Sequence, residues 1–377
     1  MKVVIAGAGI GGLAAAIALQ RAGHEVEVVE RAAVLGEVGA GVALWPNGQR
    51  ALEALGIRSL HGLTVRGLEL RTWRDRLLTD TPVAGFRARY GHELVIVHRA
   101  ELHLLLLAAA GPSHVQAAAE LTGVQQDSAA VEIELASGER RRADVLVGAD
   151  GLRSAARRYV LGDGEPRHSG ATCWRGVAPF PVDDGVAINW LGIGAEFGIF
   201  PLTDGRAYWF AVANRPARED DRPGGMKADV LATFEAWPGP VAAVVEATPE
   251  ADVLRNDLYD RPPAKTWSSG RVTLVGDAAH PMLPNAAQGA SQALEDAVAL
   301  GDALATHLPD EAFRLYEAAR LKRANRFVSQ SRMTAGSIQS GNRIVAALRD
   351  IAIATLPRAL VLRQLDLAMS PPPGASR

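Results

Sequence analysis

Cysteine occurs once in the 377 residues, at Cys173, so the chain can form no internal disulfide and no cysteine-based zinc or iron–sulfur cluster. Charge of one sign is equally scarce: 40 Lys and Arg stand against 42 Asp and Glu, a net charge of −2. That balance supplies no bulk field for nucleic acid or for an anionic membrane surface. The one basic run, Arg314, Arg320, Lys322, Arg323 and Arg326, is interspersed with Glu311 and Glu317 and reads as a solvated helix face. No uncharged apolar stretch reaches the roughly 18 residues of a membrane span. The nine histidines show no metal-ligand spacing, so no metal is expected, and no Gly-x-Ser-x-Gly elbow is present. Aromatics are few, with 8 Phe, 7 Trp and 5 Tyr. A first strand opening at Lys2 leaves no room for a signal peptide, and a cytoplasmic location is the expectation. The length suits two domains.

What is present begins at the N-terminus. Lys2-Val-Val-Ile-Ala6 is a β-branched run of the kind that forms a buried parallel strand. Gly7-Ala-Gly-Ile-Gly-Gly12 follows, then an Ala/Leu helix from Leu13 to Arg21 and a second strand, Glu25 to Glu30. Gly7 permits the tight turn, Gly9 lets backbone N–H groups approach a pyrophosphate, and Gly12 allows close helix–strand packing. Glu30, 18 residues beyond Gly12, offers a carboxylate to the ribose hydroxyls of an adenosine. A dinucleotide-binding βαβ unit is the reading.

Two later segments repeat the device of an acid at a strand end. Val145-Leu-Val-Gly-Ala-Asp150-Gly151 leads into a helical start at Ser154, and Val272-Thr-Leu-Val-Gly276-Asp277 leads through His280 and Pro284-Asn-Ala-Ala-Gln-Gly289 into a helix over 290–305. An acid so placed can bond the polyol between a pyrophosphate and a ring system, and the helix start at 289–291 offers N–H donors to an anion. Elsewhere, 64–83 reads as extended, 99–110 as a Leu-rich helix, and 131–135 with 140–147 as a hairpin. The segment 168–214 is β-like with a second hairpin across Asp204-Gly205, and 226–237 is a helix. A helical stretch over 344–369 is amphipathic and is expected to pack on the nucleotide-binding domain. Pro371 opens a frayed tail.

Taken together, these segments resemble the single-component flavoprotein monooxygenases, the class A aromatic hydroxylases of the para-hydroxybenzoate and salicylate hydroxylase type. The markers are Gly7 to Gly12, the segment Gly39-Ala-Gly-Val-Ala-Leu-Trp-Pro-Asn47, His98-Arg99, Asp150-Gly151, and Gly276-Asp277 through Glu295-Asp296. The resemblance implies an α/β fold: a glutathione-reductase-type FAD-binding Rossmann domain, an inserted antiparallel-sheet substrate domain and a helical C-terminus. The corresponding division is 1–63, 92–160 and 268–340 for FAD, 64–91 and 161–267 for substrate, and 341–377 for the C-terminal segment.

It further implies FAD as cofactor, held by Gly7, Gly9, Ile10, Gly11, Gly12, Leu13, Glu30, Arg31, Gly41, Val42, Arg99, Leu121, Asp150, Gly276, Asp277, Pro284, Ala287, Gln288, Gly289, Ala290 and Ser291. NADH or NADPH is the implied co-substrate. No second Gly-x-Gly-x-x-Gly occurs, which fits a family without a separate nicotinamide domain and argues against two-nucleotide flavoproteins. The implied reaction takes hydride from NAD(P)H to FAD, captures O2 as a flavin C4a-hydroperoxide, and hydroxylates a small aromatic or heteroaromatic substrate. A dehydrogenase or halogenase on this scaffold is the alternative, the latter lacking its Trp-x-Trp-x-Ile-Pro signature here. A non-catalytic FAD-binding sensor is the third. The expected partners are small molecules, with the chain a monomer or homodimer.

Eight of the aromatics fall between Trp174 and Phe210. Alternation puts Tyr208, Phe210 and Val212 on one face of a strand. Trp174, Tyr208, Phe210 and Asn285 are the candidate substrate contacts, with Arg175 able to pair a substrate carboxylate or, equally, to form a structural ion pair, and 281–286 with 44–46 closing the pocket. His280 reads as a turn-stabilising residue, and no general base is identified. Urate is disfavoured, since purine-hydroxylating relatives carry an acid where Asn285 stands and an arginine near Glu196.

Overall fold

The β-branched runs of the first domain pair as parallel strands because both faces of their sheet are covered by helices. Their sheet has the spatial order Ser268–Ser269, Val272–Leu274, Val145–Gly148, Lys2–Ala6, Glu25–Val29, Val115–Gln116. Lys2–Ala6 sits at its centre, with Val3 opposite Val145 on one side and Val26 on the other. The computed structural model describes residues 1–36, 40–83, 85–162, 164–182, 185–221 and 224–370.

The helix Ile10–Arg21 buries nearly its whole length, including Leu13, Ala14, Ala15 and Ala16. It packs on Arg99–Ala110 and on Gly289–Thr306. Small residues make the second contact possible: a Cβ on Gly301 would lie 2.7 Å from Ala18 Cβ. The expected strand 140–147 is in fact two. Arg140–Ala143 closes a hairpin with Val131–Leu135, and Val145–Gly148 enters the parallel sheet. The break falls at Asp144, whose backbone N–H donates to Lys2 O and whose carboxylate accepts from Lys2 N.

The second sheet has seven strands in the order Leu254–Asp260, Arg167–Ala178, Ala207–Asn214, Ala195–Pro201, Val186–Leu191, Gly67–Thr72, Leu77–Pro82. It is antiparallel but for one parallel pair, Val186–Leu191 with Gly67–Thr72, so the purely antiparallel expectation is corrected. The Asp204-Gly205 hairpin has both residues at positive φ, 62° and 69°, the twist that matches flanking strands. One face of this sheet packs Trp174, Trp190, Phe197 and Trp209 against Val241, Val244 and Phe234. The other faces the first domain.

The helix begun at Met226 ends at Thr233, short of Trp237. Beyond Pro309–Ile338, the helices Arg343–Thr355 and Arg358–Met369 close the chain. They do not pack on the first domain alone: Arg323 donates to Leu367 O and Ala368 O at 3.1 and 2.6 Å, whereas Arg349 donates to Gly192 O beside the second sheet, and Arg89 and Tyr90 bond Asp366 at 2.6 and 2.8 Å. The tail from Pro371 and Gly39 of the 39–47 segment lie outside the described residues. Among the described residues no helix is long and apolar enough to cross a membrane.

Candidate active site

Between the two sheets runs one cavity of about 900 Å³, at the top of the roughly 300–1,000 Å³ range of ligand sites. Its first arm is built on the glycine loop. Gly7 has φ +105°, and a Cβ there would strike Ala149 O at 2.3 Å. A Cβ on Gly12 would sit 1.9 Å from Gly7 O, so Gly12 serves packing and does not line the cavity. Gly9 and Gly289 have nothing within 4 Å of that position, and both border the cavity. Among the described residues no side chain caps Ile10–Arg21 or Gly289–Thr306, and neither first turn holds an acid. The two helix N-termini therefore present uncapped N–H groups and positive potential to the same space.

Glu30 stands at the end of this arm with Arg31. Its Oε2 accepts from Ala8 N at 2.7 Å and its Oε1 from Ala32 N at 2.8 Å, which fixes the carboxylate while leaving lone pairs over. Gly11, Ile10, Leu121, Gly41 and Val42 line the middle. Asp150 also borders the cavity, but its oxygens accept from Ser154 Oγ, Ala155 N and Ala156 N, so much of its capacity caps the helix Ala155–Leu161. Burial raises its carboxyl despite those bonds.

Asp277 is held at the cavity wall from beneath. The Gly276 N–H donates to Asp296 Oδ2 at 3.0 Å, and Arg157 donates to Ala278 O and Ala279 O at 2.9 and 2.8 Å. His280 bonds the same Asp296, which is the turn-stabilising role its position implied. Arg320 then joins Asp296 at 2.9 Å and also Glu295, while Asn47 donates to Glu295 at 2.8 Å. Arg320 is fully buried and Arg323 half-buried, which corrects the solvated reading for those two, while Arg314, Lys322 and Arg326 are exposed as expected. Arg99 faces this turn from the opposite wall. Burial lowers its guanidinium, the charge of Asp277 opposes that, and Arg175 adds to it.

Leu13, Gln288 and Ser291 do not line the cavity. Leu13 belongs to the core, Gln288 accepts from Asn47, and Ser291 packs under Gly48. Pro284, Ala287 and Ala290 do border it.

The second arm is formed by the inner face of the seven-stranded sheet. Tyr208, Phe210 and Val212 line it as their alternation required, with Phe200 beside them. Trp174 is a correction: it is fully buried on the opposite face, beneath the guanidinium groups of Arg215 and Arg255. Period-two alternation makes its neighbours Cys173 and Arg175 the cavity residues of that strand. Trp190, Phe197 and Trp209 are likewise core. Met282, Leu283 and Asn285 close the arm, whereas Trp45 turns away onto Phe86 at 6.2 Å between ring centres. Burial pushes the Cys173 thiol up to about 12, which leaves it protonated and unreactive.

Among the cavity residues that had no role in the sequence reading, Glu196 is the acid of the substrate arm. Glu196 accepts from Asn285 Nδ2 at 3.1 Å and from Asn189 Nδ2 at 3.4 Å, and burial pushes its carboxyl up to about 7. The available signal was its strand: in Ala195–Pro201 it alternates onto the face of Phe200. Among the described residues no cluster of His, Cys, Asp or Glu could hold a metal ion.

An elongated cradle of uncapped N–H groups, a carboxylate at one end and an acid midway fits a flavin dinucleotide. Comparison with known proteins agrees. Residues 1–331 match the family model described as FAD binding domain. Aurachin C monooxygenase/isomerase of Stigmatella aurantiaca is 38% identical over 88% of this chain and 88% of its own. 3-Amino-4-hydroxybenzoate 2-monooxygenase of Streptomyces cremeus is 38% identical over 86% and 84%. Klebsiella pneumoniae HpxO, solved with FAD and uric acid, superposes with a TM-score of 0.91 at 29% identity, covering 98% of this chain and 97% of that one. The chain belongs to the FAD binding domain family and, within it, to the FAD-dependent aromatic monooxygenases.

Proposed function

We infer that the protein hydroxylates a small aromatic or heteroaromatic compound, using FAD, NADH or NADPH, and O2. The observation that carries this reading is the continuity of the cavity from Glu30 to Asn285: a dinucleotide cradle opening directly onto an apolar arm with few polar groups. The chemistry FAD supplies when bound is electron uptake from the nicotinamide and activation of O2. Glu30 would hold its ribose, the loop from Gly7 to Gly11 its pyrophosphate, and Asp277 its polyol. The N–H groups at Ala287 to Ala290 would face the ring, where a helix N-terminus favours the negative charge of the reduced state.

The work left to the chain is orientation and exclusion of water. Phe200, Tyr208, Phe210, Met282 and Leu283 give a wall with little to solvate a polar intermediate. Arg175, with its Nε buried and unpartnered, is suited to an acidic substituent such as the carboxylate named in the Streptomyces relative's substrate. The division into 1–63, 92–160 and 268–340 for FAD and 64–91 with 161–267 for substrate goes with this reading, as does action in the cytoplasm. The test is purification followed by addition of hydroxybenzoates to the FAD-loaded protein. NADH or NADPH oxidation that accelerates with one ring, with oxygenated product by mass spectrometry, is the expected result. A protein that takes up no FAD overturns the reading.

A further inference from the structure

Glu196 is the one acid among the described cavity residues that comes from the seven-stranded sheet. It is 3% exposed, and among the described residues no basic side chain forms an ion pair with it. Its partners are neutral: Asn285 Nδ2 at 3.1 Å and Asn189 Nδ2 at 3.4 Å. Because both amides spend N–H groups on the carboxylate, their oxygens remain as acceptors, and Asn189 Oδ1 and Asn285 Oδ1 are both buried without a partner. The cluster holds acceptors in excess. A buried acceptor left unmatched costs about 1–3 kcal/mol, so the group that suits this corner is a hydrogen-bond donor.

The sheet registers fix where the corner lies. Glu196 is opposite Val212 and Arg175 opposite Phe210, on either side of the Ala207–Asn214 strand. Two strand spacings and a two-residue offset separate their Cα atoms by roughly 12 Å. Level with them on the same face stand Phe210 and Val212, and two residues further along Tyr208, whose phenol is raised first by burial and also feels Cys173, Arg175, Arg99 and Glu196. One substituted benzene ring spans such a gap once the side chains reach inward.

We propose that Glu196 is the specificity-determining acceptor of the substrate arm, binding the phenolic hydroxyl, amino or ring N–H group of the aromatic substrate and taking its proton as the ring is oxygenated. The inference rests on the aromatic-hydroxylase reading above and narrows it to rings that carry a donor. In the step itself the substrate O–H bond breaks, its proton goes to a Glu196 oxygen, and the electron pair stays on the ring oxygen. The ortho and para carbons become richer in electrons, which is what an electrophilic oxygen donor requires. A carboxyl poised near neutrality, about 7, suits a general base. The titratable and charged groups around it are Tyr208 from the neighbouring strand, Cys173 from the strand beyond that, and Arg349 from the Arg343–Thr355 helix, the last already bonded to Asp350.

The test compares 3- and 4-hydroxybenzoate and 3-amino-4-hydroxybenzoate with their O-methyl counterparts, titrated into FAD-loaded parent and Glu196→Gln proteins. Binding is read from the perturbation of the flavin absorbance, and FAD content reports folding. In the parent, the free hydroxyl should be preferred about tenfold or more. The preference should grow from pH 6 to pH 8 as the carboxylate forms. In Glu196→Gln it should shrink to within about twofold and lose its pH dependence. A preference that survives in the variant, or a parent that binds the methyl ethers equally well, overturns the proposal. Hydroxyl-selective binding without NADH or NADPH oxidation would sink the hydroxylase reading and leave the acceptor role of Glu196 standing.

Discussion

The ring of Tyr208 lies on the backbone of Gly41, so close that a Cβ on Gly41 would stand 2.4 Å from Tyr208 Cδ1. Gly41 belongs to the Gly41–Leu44 strand of the FAD side and Tyr208 to the substrate sheet, so this contact sets how the two arms of the cavity meet. Gly41→Ala should push the ring aside while leaving the glycine loop intact. With activity counted per bound FAD, we expect kcat/KM for the aromatic substrate to fall about tenfold or more. An unchanged kcat/KM would show that the ring has no positioning role.

Asp277 is the exposed member of a turn whose other parts are buried and clamped. Asp277→Ala removes the carboxylate without touching that clamp. The flavin-to-protein ratio after gel filtration should drop, with FAD affinity weakened about tenfold or more. Full flavin occupancy would show that the polyol is held elsewhere.

Gly12→Ala asks for space that backbone occupies, since the new Cβ would lie 1.9 Å from Gly7 O. No rotamer change relieves this, and a destabilisation of about 3 kcal/mol is expected. Thermal unfolding in apo and FAD-supplemented samples measures it. Gly9→Ala meets nothing within 4 Å and should fold, losing affinity for FAD alone.

Trp174 and Phe210 separate packing from recognition. Trp174→Ala opens the core behind the sheet and should cost about 3–5 kcal/mol, with the ligand preference of the folded fraction unchanged. Phe210→Ala should do the reverse. Denaturant titration beside ligand binding distinguishes them.

Glu196 makes a prediction about stability that needs no substrate. Its carboxyl is raised in the folded state to about 7, from an unfolded value near 4.5. The folded protein therefore holds a proton the unfolded chain releases over that interval, and the stability tied to it is full below pH 4.5 and lost as pH rises to about 7. Glu196→Gln escapes the loss. Relative to the parent, it should be more stable at pH 8 by up to about 3 kcal/mol and little changed near pH 4.5. Equal differences at both pH values would contradict the burial of that charge.

The FAD half was legible in the sequence because its chemistry is local: Gly7 to Gly12, Glu30 and Asp277 act through backbone geometry within a few residues. The substrate half was legible only strand by strand. Tyr208, Phe210 and Val212 could be put on one face, but nothing within their strand says which face meets the flavin side. The register does: Cys173 opposite Val212 and Arg175 opposite Phe210 carry that face into the next strand and turn Trp174 away. Glu196 escaped notice for the same reason: that its strand is the central one of the sheet, and that its partner is Asn285, 89 residues on, are facts of pairing and not of local sequence.

The network beneath Asp277 ties Asn47 to Glu295, and Glu295 and Asp296 to Arg320 in the final third of the chain. During synthesis the glycine loop leaves the ribosome first, yet the floor that positions Gly276 and Asp277 cannot lock until Arg320 has emerged. FAD capture is thus expected to be a late event. Nascent chains stalled before residue 320 should carry the nucleotide-binding signature and no flavin, so the cofactor would mark chains extended past Arg320.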